Sequence, residues 1–447
     1  MKLLILASLI LALPLFALAQ KPRKAFAYDY TIDDLPNGLR LITVPTDYPN
    51  LVALYIVVQT GSRNEIEKGK SGYAHLFEHL MFRGSERFTA KQRDDILKKA
   101  GADSNAYTTD DRTVYHEVFS KDDLDKILAL EGDRFQRLKY EPDAYKTETN
   151  AVLGEFNKNS ADPEEKAYEV LRATAYKSHT YSHTTMGFIE DIQDMPNQFD
   201  YSWQFYSRYY RPEYTTIVVV GDAKRADVLA MVKKYFGDWK RGSYAPEIPA
   251  ETEQTEAREQ HVDWPSETLP ILYVAFRGPA YSDDKKDKAA LDLLAPIAFG
   301  DNSDLYQNLV LKEQKVDSLS FIFEDRADPE LFLVAAKVKD AKDMDYVKQQ
   351  ILATYSRFTK EPVSKAKLDS TRSRMRYAFA LGLNSSEAIA GALASYIALR
   401  RSPDTIEKLF SVYDSITPED IRQAAAKYFV EKHRSIVTLT TKKEVAK

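Results

Sequence analysis

Short apolar runs and amphipathic stretches alternate along the chain, and each pattern predicts a different element. The apolar run Leu51–Val58 predicts a buried strand that ends before Gly61. A charged loop follows, and apolar residues at helical spacing over 72–81 then predict a helix. Upstream, the residues LPNGL at 35–39 form a turn signal. Strands and helices in this order are typical of a mixed α and β fold.

The same order of elements returns later in the chain. A second apolar run at 271–276 is followed by Gly278 and by a helical pattern over 286–298, about 217 residues after the first set. The helix end and strand at 206–220 likewise resemble 425–439, with an offset of about 219. A shared offset across separate elements indicates an internal duplication. The sequence therefore predicts an α+β protein with two similar α/β-sandwich halves.

The composition changes between the two predicted halves. Residues 244–260 contain Pro246, Pro249 and many glutamates but few apolar side chains, which is typical of a linker. We therefore expect a first domain over 26–243, this linker, and a second domain over 261–447.

The first twenty residues have a composition of their own. Lys2 precedes an apolar run over 3–15, and the small residues Ala17 and Ala19 follow it. This pattern predicts a secretory signal peptide over 1–19 that is cleaved after its last residue. No later stretch has the roughly 18–20 apolar residues of a membrane span. We therefore expect a protein secreted across the inner membrane, periplasmic in a bacterium, with no membrane span after signal cleavage.

Charge and cysteine content exclude several classes of function. The formal net charge is −5 over 447 residues and there is no basic tract, so neither a nucleic acid nor an anionic membrane is an expected partner. The chain has no cysteine, which excludes disulfides, a thiol nucleophile and a lipid attached to cysteine. Any metal must therefore be bound by histidine, aspartate or glutamate.

The helix predicted over 72–81 carries the residues HLFEH at 75–79. His75 and His79 are four residues apart, so both imidazoles lie on one face of the helix and can bind one metal ion. Glu78 lies on the same side, where it can act as a base. The order HxxEH inverts the HExxH motif of many zinc peptidases. The corresponding stretch of the second half, KAALDLLAPIAF, lacks the motif, so the metal site belongs to the first half.

A catalytic zinc normally has a third protein ligand. In the stretch ETNAVLGEF, Glu148 and Glu155 are seven residues apart, which is two helical turns, so both face the same way. One carboxylate would bind the metal, and the other would accept a hydrogen bond from a ligating histidine. Spacing alone leaves this choice open.

The chain resembles the pitrilysin/insulinase family of zinc peptidases, the inverzincins. Besides HLFEH and the two glutamates, the resemblance rests on LPNGLR at 35–40, GSRNE at 61–65, HLMFRGSERF at 79–88, NAYTTDDRTVY at 105–115, YSHTTMGF at 181–188 and VVVGD at 218–222. It implies one Zn²⁺ per chain, held by His75, His79 and Glu155. It also implies Glu78 as the general base and Glu148 as the hydrogen-bond partner of a ligating histidine.

This resemblance implies a zinc-dependent endopeptidase in which a metal-activated water attacks the peptide bond. The domain at 26–243 would be catalytic and the domain at 261–447 noncatalytic. The first alternative is a noncatalytic peptide-binding or scaffold subunit of a heteromeric peptidase, although such a subunit would be expected to lose at least one motif residue. The second alternative is a metal-dependent hydrolase that acts on something other than peptides.

The stretch 104–108 predicts the start of a strand. In the family it resembles, the corresponding strand pairs with the substrate, which makes Asn105 and Ala106 the candidate substrate-binding residues. Backbone pairing of this kind would accept peptides or unfolded polypeptides of many sequences. The alternative is a turn and strand with no role in binding.

Large members of the family have four such α+β units, and their noncatalytic half supplies an arginine and a tyrosine to the reacting carbonyl. This chain has two units, and the expected region at 331–339 contains neither residue. We therefore expect a dimer, as in the two-chain members that resemble mitochondrial processing peptidase. The second chain would be identical or a related two-domain subunit.

Overall fold

The computed structural model describes residues 24–442, so the predicted signal peptide lies outside the described residues. Eleven strands form two sheets in this part of the chain. The strands are β1 (Thr31–Asp34), β2 (Arg40–Pro45), β3 (Leu51–Val58), β4 (Asp103–Thr108), β5 (Thr113–Ser120), β6 (Thr215–Gly221), β7 (Arg258–Trp264), β8 (Ile271–Arg277), β9 (Val316–Ile322), β10 (Leu331–Val338) and β11 (Arg434–Thr441).

Helices cover the sheets, and none within 24–442 is both long and apolar enough to cross a membrane. They are α1 (Tyr73–Leu80), α2 (Ala90–Lys99), α3 (Leu124–Gln136), α4 (Pro142–Asn159), α5 (Pro163–Ala175), α6 (Ile189–Asp194), α7 (Phe199–Tyr209), α8 (Arg225–Phe236), α9 (Lys286–Phe299), α10 (Asp304–Tyr306), α11 (Met344–Lys360), α12 (Lys365–Gly382), α13 (Ser386–Arg400), α14 (Asp404–Ser415) and α15 (Pro418–Tyr428).

The two sheets confirm the predicted pair of similar halves. The first sheet has the strand order β1-β2-β6-β3-β5-β4 and the second has β7-β11-β8-β10-β9. Apart from β1, each strand of the first sheet has a counterpart at the same place in the second. Each sheet contains one parallel pair, β2 with β6 and β7 with β11, and its other pairs are antiparallel. The duplication therefore includes strand order and direction.

Strand β3 shows why the sequence forms a sheet that is buried on both faces. Successive side chains of a strand point to opposite faces, and an unbroken apolar run makes both faces hydrophobic. One face of β3 packs on the helices of its own half through Val52, Leu54, Ile56 and Val58. The other face packs on helices of the second half through Ala53, Tyr55 and Val57.

The two halves exchange one helix each. Helix α13 of the second half packs on β3 and β6 of the first sheet, through Ile389, Leu393 and Ile397. Helix α5 of the first half packs in the same way on β7, β8 and β11 of the second sheet, through Ala167, Leu171 and Ala175. Each half therefore covers an apolar sheet face of the other.

The segment between Trp239 and β7 contains no helix or strand. The last three residues of the predicted linker, 258–260, instead belong to β7, which pairs with β11. Glu251 fixes the segment to the first half, because its carboxylate accepts hydrogen bonds from the backbone N–H groups of three consecutive residues. These are Lys177, Ser178 and His179.

Ion pairs also join the halves around the loop that follows β9. Buried Asp110 of the first half accepts from Arg172 at 2.9 Å and pairs with Arg326 of the second half at 2.7 Å. Burial alone would raise the pKa of Asp110, but the two guanidinium groups outweigh it and lower that pKa. Asp328, also in the second half, pairs with Arg63 at 2.5 Å and with the His179 ring at 3.0 Å.

Acid is expected to weaken the contact between the two halves, because Asp328 becomes protonated. Burial opposes its ionisation, but the hydrogen bonds with His179 and Arg63 lower its pKa from 3.8 to about 2. A lowered pKa stabilises the fold above the unfolded value of 3.8, and this stabilisation is lost as the pH falls towards 2. Asp328→Asn should cost about 1–2 kcal/mol of unfolding free energy at pH 6 and about half as much at pH 3. Urea unfolding at the two pH values measures both costs, and equal costs would contradict this explanation.

Candidate metal centre

Helix α1 separates its apolar residues from its polar ones. Tyr73, Leu76 and Phe77 are buried against the first-half core, whereas His75, Glu78 and His79 lie on the opposite side. The chain enters the helix through Gly72, whose φ is +88°. Because a Cβ at this position would also lie 2.8 Å from a backbone oxygen, glycine is required here.

Buried Glu65 caps the start of α1. Its two carboxylate oxygens accept hydrogen bonds from the backbone N–H of Gly72 at 2.8 Å and of Ala74 at 2.7 Å. Such groups have no partner within the helix, and a carboxylate at a helix N-terminus is also favoured by the helix dipole. Glu65 therefore fixes the end of the helix from which His75 extends.

Glu65→Ala is expected to destabilise the metal-free chain by about 2–3 kcal/mol, because two buried N–H groups lose their acceptor. The matched control is Glu67→Ala, which removes a partly exposed ion pair with Arg208 and should cost at most about 1 kcal/mol. Urea unfolding of both variants measures the difference. Similar costs would show that Glu65 is not an important cap.

Helix α4 supplies the carboxylates. It begins with Pro142, a favourable residue at a first helical position, and packs on the core through Tyr145 and Val152. Glu148 and Glu155 are two turns apart on the side that faces α1. Glu148 is buried, whereas 46% of the Glu155 side chain is exposed.

Three ligand atoms from the two helices converge. Nε2 of His75 lies 3.3 Å from Nε2 of His79 and 3.3 Å from Oε2 of Glu155, and the third side of the triangle is 3.7 Å. Tetrahedral zinc with ligands at about 2.0–2.1 Å separates its ligand atoms by roughly 3.3–3.5 Å. The donor set of two imidazoles and one carboxylate is one that zinc prefers. These residues therefore fit a zinc ion.

The surroundings shift the pKa values of the two histidines in opposite directions. Burial lowers the pKa of His75 to about 4, so its ring is neutral at pH 7. Nδ1 of His79 lies 3.3 Å from a carboxylate oxygen of Glu148, and donation from Nδ1 leaves Nε2 free as a ligand. Burial opposes protonation of His79, but this hydrogen bond and the Glu155 carboxylate outweigh it and raise its pKa. Glu148 is paired in turn with Arg83.

Glu78 stands beside the ligand atoms without belonging to the group of three. Its Oε2 accepts a hydrogen bond from Oγ1 of Thr108 at 2.7 Å, which leaves the other oxygen available. Burial raises the pKa of Glu78 above 4.5, which brings it closer to the pKa that suits a general base at neutral pH. Glu78, His79, Glu148 and Glu155 line a cavity of about 520 Å³, which we call the metal-site cavity.

Asn105 and Ala106 lie in β4, as the sequence predicted for a strand. Strand β4 is at the end of the first sheet and pairs with β5 alone among the described strands. Neither Asn105 nor Ala106 is among the residues that line the metal-site cavity. The strand reaches the site through Thr108, three residues after Asn105.

Three supporting residues were missed at the sequence level. Thr108 positions Glu78, Arg83 pairs with Glu148, and Glu65 caps α1. All three lie within or close to the family-like stretches quoted above. Hydrophobic periodicity carries no information about such contacts, because each joins a helix to a polar residue of a different segment.

Two family models match this chain. The model "Insulinase (Peptidase family M16)" matches residues 41–188, and the model "Peptidase M16 inactive domain" matches residues 200–375. The first match contains the proposed ligands, and the second covers most of the half that lacks the motif.

Relatives are similar over most of the chain. The zinc protease PqqE of Helicobacter pylori is 30% identical over 81% of this chain and 82% of its own. The beta subunit of mitochondrial-processing peptidase of Caenorhabditis elegans is 28% identical over 61% of this chain and 57% of its own. The crystal structure of a protease from Helicobacter pylori has a TM-score of 0.86 and 28% identity over 92% of this chain and 100% of that one. The chain therefore belongs to the insulinase family, peptidase family M16.

Proposed function

We propose that this protein is a zinc-dependent endopeptidase. One observation carries the proposal: His75, His79 and Glu155 hold three ligand atoms at the spacing of a zinc site, with the carboxylate of Glu78 beside them. The relative PqqE, which is named a zinc protease, supports it. A noncatalytic scaffold would not need this arrangement.

The role of Glu78 follows from its position. A zinc ion bound by the three ligands supplies Lewis-acid chemistry and lowers the pKa of water. Thr108 holds one oxygen of Glu78, so the free oxygen takes the proton of the attacking water and later passes it to the leaving amine. The neighbouring Glu148 holds His79 in the orientation that presents Nε2.

We place the substrate along the free edge of β4. An extended peptide can add to such an edge through backbone hydrogen bonds. The N–H of Ala106 currently donates to Oδ1 of its neighbour Asn105 at 2.9 Å, and a substrate carbonyl could replace this acceptor. Backbone recognition of this kind would accept many sequences, as suits peptides or unfolded polypeptides.

Removing the metal tests the proposed activity. Purified protein should contain one zinc ion per chain and cleave a quenched fluorescent peptide. Dialysis against a chelator should abolish cleavage, and stoichiometric Zn²⁺ should restore it. The reason is that the attacking group is a metal-activated water and no covalent nucleophile of the protein is required. Chelator-resistant cleavage, or a stoichiometrically zinc-loaded protein without activity on a range of peptides, would contradict the proposal.

We also propose that the active form is a dimer, with an identical or a related two-domain chain. The region in which the family arginine and tyrosine were expected is β10, which lies inside the second sheet between β8 and β9. The name of one relative designates a subunit of a peptidase. Size-exclusion chromatography with light scattering tests the idea, and a fully active monomer would refute it.

Residues 1–19 support secretion, with periplasmic location in a bacterium. Mass spectrometry of the mature protein should find an N-terminus at Gln20 after cell fractionation. Full-length protein recovered from the cytosol alone would contradict this assignment.

A further inference from the structure

A second cavity, of about 700 Å³, lies where the two halves meet. We call it the junction cavity. Its volume is within the range of small-ligand sites. Its lining comes from helices α9, α12, α13 and α14 and from strand β9 with the loop after it, all of the second half, and from the turn between β4 and β5 of the first half.

The junction cavity occupies the place in the second half that corresponds to the metal centre of the first. At the offset of about 217 residues, the counterparts of the HLFEH residues on α9 include Asp292 and Pro296, and both line the cavity. The Nζ atom of buried Lys288 lies 2.6 Å from Asp292 and 2.7 Å from Asp325. The ammonium group of Lys288 therefore lies between the two carboxylates, in the position that a metal ion would need. The two aspartates are thus not available as a metal site.

Arg112 is a further positively charged residue in the lining of the junction cavity. It lies in the turn after β4, and one of its terminal N–H groups donates to Oγ of Ser395 at 3.1 Å. Its Nε is buried and has no hydrogen-bond partner among residues 24–442, and its Cζ lies 5.8 Å from the centre of the Tyr107 ring. The other arginine of the lining, Arg326, is paired with Asp110. Arg112 lines the cavity and therefore offers its remaining terminal N–H groups to a ligand.

The wall beside these donors is largely aromatic. Phe321, Phe323 and Phe379 line the cavity together with Met375 and Tyr396. A guanidinium next to aromatic rings suits a ligand that combines a carboxylate with a hydrophobic group, because a carboxylate can accept two hydrogen bonds from one guanidinium.

We propose that the junction cavity binds a hydrophobic carboxylate. Arg112 binds the carboxylate, and the aromatic wall holds the apolar group. The C-terminal residue of a peptide that ends in phenylalanine or leucine has this chemistry, and so does a free aromatic acid. The proposal does not depend on the proposed peptidase activity, because none of the zinc-binding residues lines this cavity.

Calorimetric titration of the full chain tests the proposal, with Glu78→Gln introduced to prevent cleavage. Acetyl-Leu-Phe should bind at least about tenfold more tightly than acetyl-Leu-Phe-amide, because only the former has a carboxylate for the guanidinium. Arg112→Gln should remove this preference. The matched control Arg225→Gln, on the surface of α8, should retain it.

A second variant keeps the test decisive if Arg112→Gln does not fold. Ala392→Trp fills the cavity without a change of charge and should also abolish binding of acetyl-Leu-Phe. Melting curves establish that each variant is folded. Titration with 3-phenylpropionate distinguishes the two sources: tighter binding than acetyl-Leu-Phe assigns the site to free acids, and weaker binding assigns it to peptide termini. A carboxylate preference that persists in folded Arg112→Gln, binding of acetyl-Leu-Phe that persists in folded Ala392→Trp, or equal binding of the acid and its amide overturns the proposal.

Discussion

Glu78→Gln is expected to lower kcat on a quenched fluorescent peptide by about 10²–10⁴-fold while zinc stays bound. Glutamine has nearly the same size as glutamate, and its amide oxygen can still accept the hydrogen bond from Thr108. It cannot take a proton from water. Since Glu78 does not belong to the group of three ligand atoms, metal affinity should change by only a few fold.

The measurement needs both activity and metal content. Steady-state kinetics gives kcat, and elemental analysis of the same sample gives the zinc content per chain. Glu419→Gln is a matched control, because exposed Glu419 lies on α15 of the second half and pairs with Arg422. If Glu78→Gln cleaves as fast as the parent with a full complement of zinc, Glu78 is not the base.

Glu155→Gln is expected to weaken zinc binding on the order of 10³-fold, and Glu148→Gln by only about 10–100-fold. Oε2 of Glu155 lies within 3.7 Å of both histidine Nε2 atoms. Glu148 instead contacts Nδ1 of His79, on the opposite side of that ring. Loss of a ligand removes a metal bond, whereas loss of the outer carboxylate only weakens the orientation of the ring.

Competition with a chromogenic chelator measures both affinities under one condition. The two variants are controls for each other, since each replaces one carboxylate of the same helix by an amide. Reversed effects would make Glu148 the ligand. Equal effects would indicate that both carboxylates bind the ion.

Elements with a strong local pattern could be predicted from the sequence. The unbroken apolar run of β3 gave its exact bounds, Leu51–Val58, and the helix predicted over 72–81 differs from α1 by one residue at each end. The histidine pair followed from the pitch of that helix. The shared offset between distant segments predicted the two halves, because duplication leaves the same order of elements twice.

The contacts between segments could not be predicted in this way. Amphipathic α5 has the periodicity of any surface helix, and nothing in its sequence shows that it packs on the sheet of the other half. The choice between Glu148 and Glu155 likewise depends on where α4 crosses α1. The inter-half pair of Asp110 and Arg326 joins loops that no pattern connects.

The exchange of α5 and α13 also determines when each half can be completed during synthesis. Domains commonly fold from the N-terminus as they leave the ribosome. Here the first sheet keeps one apolar face uncovered until α13, near the end of the chain, has been made. Helix α5, by contrast, is synthesised before the strands of the second sheet that it covers. The half with the candidate metal centre is therefore synthesised first but completed only with the second.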